Sequence, residues 1–304
     1  MLRSTLLYLS ENKSLQNFIL RSKLARGMSR RFVAGETLDD AIKVTGDLNA
    51  RGMDVTLDNL GEAVEREDQA TQATDDYIKI LERIDKENGI EASISIKPTQ
   101  LGLAIDPDLA RENLRRLGEA AREYGNFVRI DMESTDYTQS TLDVFHALFG
   151  ENKNLGTVIQ SYLRRSEEDI RKLASVAAPV RLCKGAYKEP EDLAFQKKQE
   201  VDDSYVELLE ILLDSDSPLA IATHDHVMID AGKRLIKEYP NREAPVEFQM
   251  LYGIRRDLQA RLVEQGYKMR VYVPYGSDWY PYFMRRMAER PANLFFVLRA
   301  SVGK

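Results

Sequence analysis

The sequence predicts an α/β fold, a (βα)8 barrel of the TIM type with extra N-terminal helices. Three observations carry that expectation. Short apolar runs rich in β-branched residues alternate with longer segments of helical periodicity, the pattern of βα units and a parallel sheet. Eight such runs occur, ending near Leu57, Lys97, Met132, Tyr162, Lys184, Thr223, Met250 and Pro274, and eight units close a barrel. The chain has 304 residues, an ordinary size for one such domain. It is therefore read as one domain, with residues 1–50 a helical segment and 51–304 the barrel.

The elements follow in order. Thr37 caps a helix over Leu38 to Ala50, with Ala41, Ile42 and Leu48 facing inward. After the first strand, Tyr77, Ile80, Leu81 and Ile84 form the apolar stripe of an amphipathic helix, stopped at Asn88-Gly89. Asp106-Pro107 reads as an N-cap and first-turn proline. Leu114, Leu117, Ala121 and Tyr124 then give the buried face before Gly125. Ser166 with Asp169 three residues on resembles a capping box. The aromatic stretch from Ser277 to Pro281 reads as a loop that covers the site. The helix after it, YFMRRMAE, places Tyr282, Arg285, Arg286 and Glu289 on one face.

Composition narrows the function. A net charge of −6 argues against a nucleic-acid groove. Cys183 is the only cysteine, so there is no disulfide framework and no thiolate metal cluster. Three histidines, His146, His224 and His226, do not readily make a zinc site, which needs more ligands of the right kind. No apolar run approaches transmembrane length. The first fifteen residues lack a convincing signal-peptide cleavage site. The expected compartment is the cytosol, with peripheral contact at the inner face of the cell membrane left open. A serine nucleophile elbow, a Walker loop and a dinucleotide GxGxxG are all missing from the sequence.

In a parallel barrel the chemistry sits at the carboxyl ends of the strands. Lys97 there is a Schiff-base nucleophile or a carboxylate-binding cation. Asp131 closes an apolar strand and needs a partner, structural or functional. The Gln160 amide can read a heterocycle edge. Arg181 and Lys184 bring two cations, and Gly185 lets backbone approach a ligand. Thr223 and His224 offer a base or a contact to a cofactor phosphate. Glu247, Gln249, Tyr272 and Tyr275 complete the strand ends, and Cys183 is a small strand residue. Arg285 and Arg286 can clamp a carboxylate or phosphate. These residues alone describe a barrel enzyme for an anionic small molecule.

RLCKGAY at Arg181–Tyr187 together with YFMRRMAE at Tyr282–Glu289 resembles the flavin-dependent proline dehydrogenase family. SISIKPTQL, RIDME, VIQSY, ATHDH, EFQMLYG and VYVPYG stand in the family's order. Lys188 follows Tyr187 where bifunctional members usually carry tryptophan. The resemblance is to the stand-alone bacterial type. It implies a distorted barrel holding FAD, non-covalently, at the strand ends. The implied reaction is oxidation of L-proline to Δ1-pyrroline-5-carboxylate, the first step of proline catabolism to glutamate. Electrons would pass to a membrane quinone, and a pyrroline-5-carboxylate dehydrogenase would be a partner; no nucleic acid is expected.

By the same resemblance Asp131 and Arg181 are catalytic, and no metal takes part. Lys97, Asp131, Tyr187, Tyr272, Arg285, Arg286 and Glu289 bind substrate. Met132, Gln160, Arg181, Lys184, Gly185, Ala186, Thr223 and His224 hold the cofactor. Competing readings are a hydroxyproline dehydrogenase on the same scaffold and a flavin-free Schiff-base lyase using Lys97.

Overall fold

The computed structural model describes Gly27, residues 29–61 and residues 63–289, the last three by backbone alone. Eight parallel strands close a barrel in sequential order. They are β1 (Asp54–Asn59), β2 (Ala92–Ile96), β3 (Val128–Ile130), β4 (Leu155–Gln160), β5 (Val180–Cys183), β6 (Leu219–Ala222), β7 (Val246–Leu251) and β8 (Met269–Tyr275). All eight expected strands are present, each ending within two residues of its expected end. β8 closes on β1 with Tyr272 opposite Thr56 and Pro274 opposite Asp58.

The helices are α1 (Leu38–Asn49), α2 (Glu67–Lys86), α3 (Pro107–Glu123), α4 (Thr135–Phe149), α5 (Ser166–Ala174), α6 (Lys198–Leu213), α7 (His226–Glu238), α8 (Arg256–Glu264) and α9 (Trp279–Glu289). Thr37 caps α1 in a full capping box with Asp40. Asp106 caps α3 by accepting from the Asp108 amide at 2.9 Å. The expected box at Ser166 is not formed. Arg165 is the N-cap, and Ser166 lies inside α5, donating to the Gln160 carbonyl at 2.6 Å. Asp169 is taken by Arg165 at 2.6 Å and does not cap. A bidentate guanidinium is the stronger partner for that carboxylate.

Buried side chains alternate in character along the strands. Val55 and Leu57, Ile94 and Ile96, Val128 and Ile130, Leu182, Ile221, Phe248 and Val271 belong to one apolar core with the inner faces of the helices. Each such side chain contributes roughly 1.5–3 kcal/mol on burial. The intervening positions are polar: Thr56, Asp58, Ser93, Ser95, Arg129, Arg181 and Gln249. Successive strand residues face opposite sides, and Arg181 of β5 reaches both Gln249 of β7 and Ser95 of β2. The polar set therefore lines the barrel interior, and the apolar core lies between the strands and the helices.

The barrel is irregular at its seam. α1 packs on β1 and β8, where the helix following β8 lies in a regular barrel. The chain just before α1 is tied to the end of β8, with the Ala34 amide donating to the Pro274 carbonyl at 2.9 Å. α9 follows β8 and brings Arg285 within electrostatic reach of Lys97 at the end of β2. Of the aromatic stretch expected as a covering loop, Ser277 and Asp278 form an exposed turn and the rest opens α9, with Trp279 and Tyr280 fully buried. Rings of that size stabilise more by packing than by standing in solvent. Trp279 meets Phe283 edge-on at 5.9 Å, and Phe283 meets Phe32 at 6.2 Å. Among the described residues no helix is long and apolar enough to cross a membrane.

Candidate active site

Asp131, one residue past β3, organises the mouth of the barrel. Its Oδ1 accepts from Ser95 Oγ at 2.7 Å and from Arg181 Nη1 at 2.6 Å. Its Oδ2 accepts from the Tyr272 hydroxyl at 2.8 Å. With three donors on two oxygens, this carboxylate is a fixed acceptor rather than a mobile base. Burial, and then the Asp131 charge, push the Tyr272 phenol well above its ordinary value, so it remains a donor. Arg181 has its guanidinium carbon 5.3 Å from the Tyr272 ring centroid. Its Nε donates to Gln249 Oε1 at 2.6 Å. Its Nη2 is buried and has no hydrogen-bond partner.

Lys97 follows β2 and starts the 3-10 turn Pro98–Leu101. Its ammonium lies 3.1 and 3.4 Å from the carboxylate oxygens of Asp58, which is 1 % exposed. Burial works against the Lys97 charge, but Asp58 and Asp131 outweigh it and the pKa is raised. A Schiff-base nucleophile needs a neutral amine, so this environment favours a cation. Arg285 on α9 acts electrostatically against Lys97. Two cations brought together in this way leave room for an anion between them.

The rest of the rim divides into two groups. Gln160, 3 % exposed, donates to the Glu133 carbonyl at 2.9 Å. The Glu133 carboxylate accepts from the Thr99 amide at 3.0 Å and from its hydroxyl at 2.8 Å. Met132 is buried in the main core. Across the mouth, Lys184 is held between Asp202 at 2.5 Å and Asp225 at 2.7 Å. Thr223 Oγ1 accepts from the Asp225 amide at 3.1 Å.

His224 Nε2 accepts from the Leu251 amide at 2.9 Å. β6 ends at Ala222, so His224 and His226 are not on a strand: one is in the loop and the other opens α7. Gly185 has φ +105°, and a Cβ there would collide with the Tyr162 ring, so glycine is required. Ala186 and Tyr187 after it are exposed.

On α9, Arg286 lies 5.2 Å over the buried Tyr282 ring, and Arg285 is exposed. The side chain of Glu289 lies outside the described residues. Sequence reasoning missed Asp58, whose signal was an acid inside the apolar run VTLDNL. It also missed Ser95, whose signal was a small hydroxyl facing the same way as Lys97 in SISIK. Gln249 had been noted as a strand-end amide, without a partner.

The family model "Proline dehydrogenase" matches residues 41–299. The chain is 42% identical over 304 residues to "Proline dehydrogenase 1" of Bacillus subtilis, covering 100% of both chains. It is 42% identical over 277 residues to a proline dehydrogenase of Deinococcus radiodurans, covering 90% of this chain and 89% of that one. Among solved structures it resembles proline utilization A (PutA) from Bdellovibrio bacteriovorus inactivated by N-propargylglycine. That match has a TM-score of 0.80 and 25% identity, and it covers 99% of this chain and 39% of that longer one.

Proposed function

The chain belongs to the proline dehydrogenase family and oxidises proline in proline catabolism, and we propose that it does so with FAD held at the carboxyl ends of the strands. The observation that carries the cofactor reading is Arg181. Its Nε and Nη1 are engaged, and its Nη2 is a buried donor without a partner. A buried unsatisfied donor is costly, and an electron-rich heterocycle in the mouth would satisfy it. Gly185 and the strand-end residues Met132, Gln160, Lys184, Ala186, Thr223 and His224 would form the remaining cofactor contacts. Lys184 would have to exchange an aspartate for the cofactor.

FAD, when bound, supplies the two-electron acceptor. The protein's own part is to bind and orient proline. Arg285 and Arg286, helped by Lys97, hold the carboxylate, which also relieves the repulsion between Arg285 and Lys97. Glu289 steadies the clamp, Tyr187 lies along the same pocket, and Tyr272 packs against the substrate ring. Asp131 and Ser95 fix Tyr272 and Arg181, so the geometry is set before substrate arrives.

Oxidation to Δ1-pyrroline-5-carboxylate removes a hydride from the ring carbon next to nitrogen and a proton from the amine. The three cations disfavour a protonated amine, and Asp131 already accepts three donors, so the amine proton goes to solvent on binding. Electrons pass on to a membrane quinone, and a pyrroline-5-carboxylate dehydrogenase takes the product.

The deciding measurement is an absorbance spectrum of purified protein before and after anaerobic L-proline. A flavin band that bleaches supports the reading. A colourless protein that stays colourless with added FAD would sink the cofactor assignment. A band that hydroxyproline bleaches faster than proline would shift the substrate.

A further inference from the structure

We propose that Gln249 is a positioning residue that keeps Arg181 Nη2 available to the cofactor. The inference rests on the cofactor reading above and adds what holds the arginine in place. Arg181 has one natural partner in reach, the Asp131 carboxylate. A guanidinium and a carboxylate prefer a forked pair in which two N–H groups meet two oxygens. That pair would take Nη2 and displace the Tyr272 hydroxyl from Oδ2. The structure shows neither: Arg181 gives Asp131 only Nη1, at 2.6 Å, and Tyr272 keeps Oδ2 at 2.8 Å.

Gln249 stands against that rotation. Its Oε1 accepts from Arg181 Nε at 2.6 Å. With Nε and Nη1 both anchored, the guanidinium plane cannot turn into the fork. Gln249 is itself held the right way round. Its Nε2 donates to Glu247 Oε1 at 2.5 Å, which forces the amide oxygen toward Arg181. Glu247 is fixed by Arg270 Nε at 2.9 and 3.1 Å, and Arg270 by Asp54 at 3.1 Å and the Val55 carbonyl at 2.9 Å. The chain of bonds runs down the barrel interior, away from the mouth. Gln249 is 5 % exposed, so water does not compete for the Arg181 Nε.

The test uses the flavin-loaded enzyme and Gln249→Met, which keeps length and apolar packing but removes both hydrogen bonds. A cation near a flavin ring favours added electrons, so withdrawal of Nη2 lowers the flavin midpoint potential. Reduction of the bound flavin by proline is expected to slow about tenfold, the weight of one buried hydrogen bond. Affinity for a non-oxidisable cyclic carboxylate should fall less than the rate of reduction, because the clamp on α9 is untouched and only the Tyr272 contact shifts. In an Arg181→Met background the same change should leave the potential where Arg181→Met alone puts it, since Gln249 acts through Arg181. Should Gln249→Met not fold, Gln249→Asn, too short to span Arg181 and Glu247, is expected to give the same fall in potential. A folded, flavin-bearing variant of either kind with the wild-type potential and rate overturns the inference and leaves the cofactor reading standing. Wild-type protein that takes up no FAD overturns both.

Discussion

The two sides of the barrel mouth carry charge in opposite ways. On one side, Asp131, Arg181, Tyr272, Ser95 and Gln249 form a largely buried network joined by bonds of 2.6 to 2.8 Å. On the other, Lys184 and Lys198 share Asp202 and Asp225. That cluster is redundant, and Lys198 is 72% exposed. A buried network of short bonds gives a fixed geometry and fails when one member goes. A cluster with shared partners and one exposed lysine tolerates loss, and its exposed member is screened by solvent. Under the proposed function, the first arrangement suits groups that would meet a reacting ring, and the second suits a rim that would let a cofactor in.

Asp131→Ala should break this contrast most severely. It leaves the buried Arg181 charge without its carboxylate and releases Tyr272. Loss of one partner of a buried pair costs about 3–5 kcal/mol. Thermal unfolding should register that loss, and turnover should fall by at least about a hundredfold. A variant with near wild-type melting and turnover would show that the network is not what fixes the site.

Arg286→Ala comes next. The guanidinium lies on the Tyr282 ring at the mouth, outside the buried network. Its loss should raise the KM for proline by roughly tenfold or more, the scale of one charge-assisted bond of about 1.5–3 kcal/mol, with bound flavin retained. Loss of the flavin band in this variant would place Arg286 in the cofactor site instead.

Asp58→Asn should have a smaller effect. Asp58 is one of two acids holding the Lys97 charge, and Asp131 is the other. The KM should rise several-fold and the Lys97 pKa should fall. A fall raises the pH sensitivity of binding, because Lys97 then loses its proton at a lower pH. Unchanged KM across the alkaline range would show that Asp58 does not support the cation.

The fold was legible because strand runs and helix stripes are local signals: Tyr77, Ile80, Leu81 and Ile84 are all buried on α2 as their spacing required. The strand-end residues were legible as positions, and Asp131, Arg181 and Tyr272 do meet. What stayed hidden was the pairing. Sequence order does not reveal that a strand-five arginine reaches a strand-seven amide across the barrel. The aromatic residues at the start of α9 misled for a related reason. Trp279 packs on Phe283, and Phe283 meets Phe32 near the other end of the chain, a long-range contact that local sequence does not carry.

The smallest effect belongs to the redundant cluster. Asp225 is partly buried, which alone would raise its pKa, but Lys184, the Val227 amide and Lys198 bring it from 3.8 down to about 2. A carboxylate depressed on folding stabilises the native state above its unfolded pKa, and that stability drains away as pH falls from 3.8 toward about 2. Lys198→Ala removes the most exposed member and leaves Lys184 at 2.7 Å from Asp225. The cost at neutral pH should be under about 1 kcal/mol, with proline turnover unchanged. Acid unfolding is the discriminating measurement: its midpoint should move slightly up in pH for Lys198→Ala and distinctly up for Lys184→Ala. Equal shifts would mean that the two lysines carry Asp225 equally, and the cluster would then be a single shared charge rather than a principal pair with a reserve.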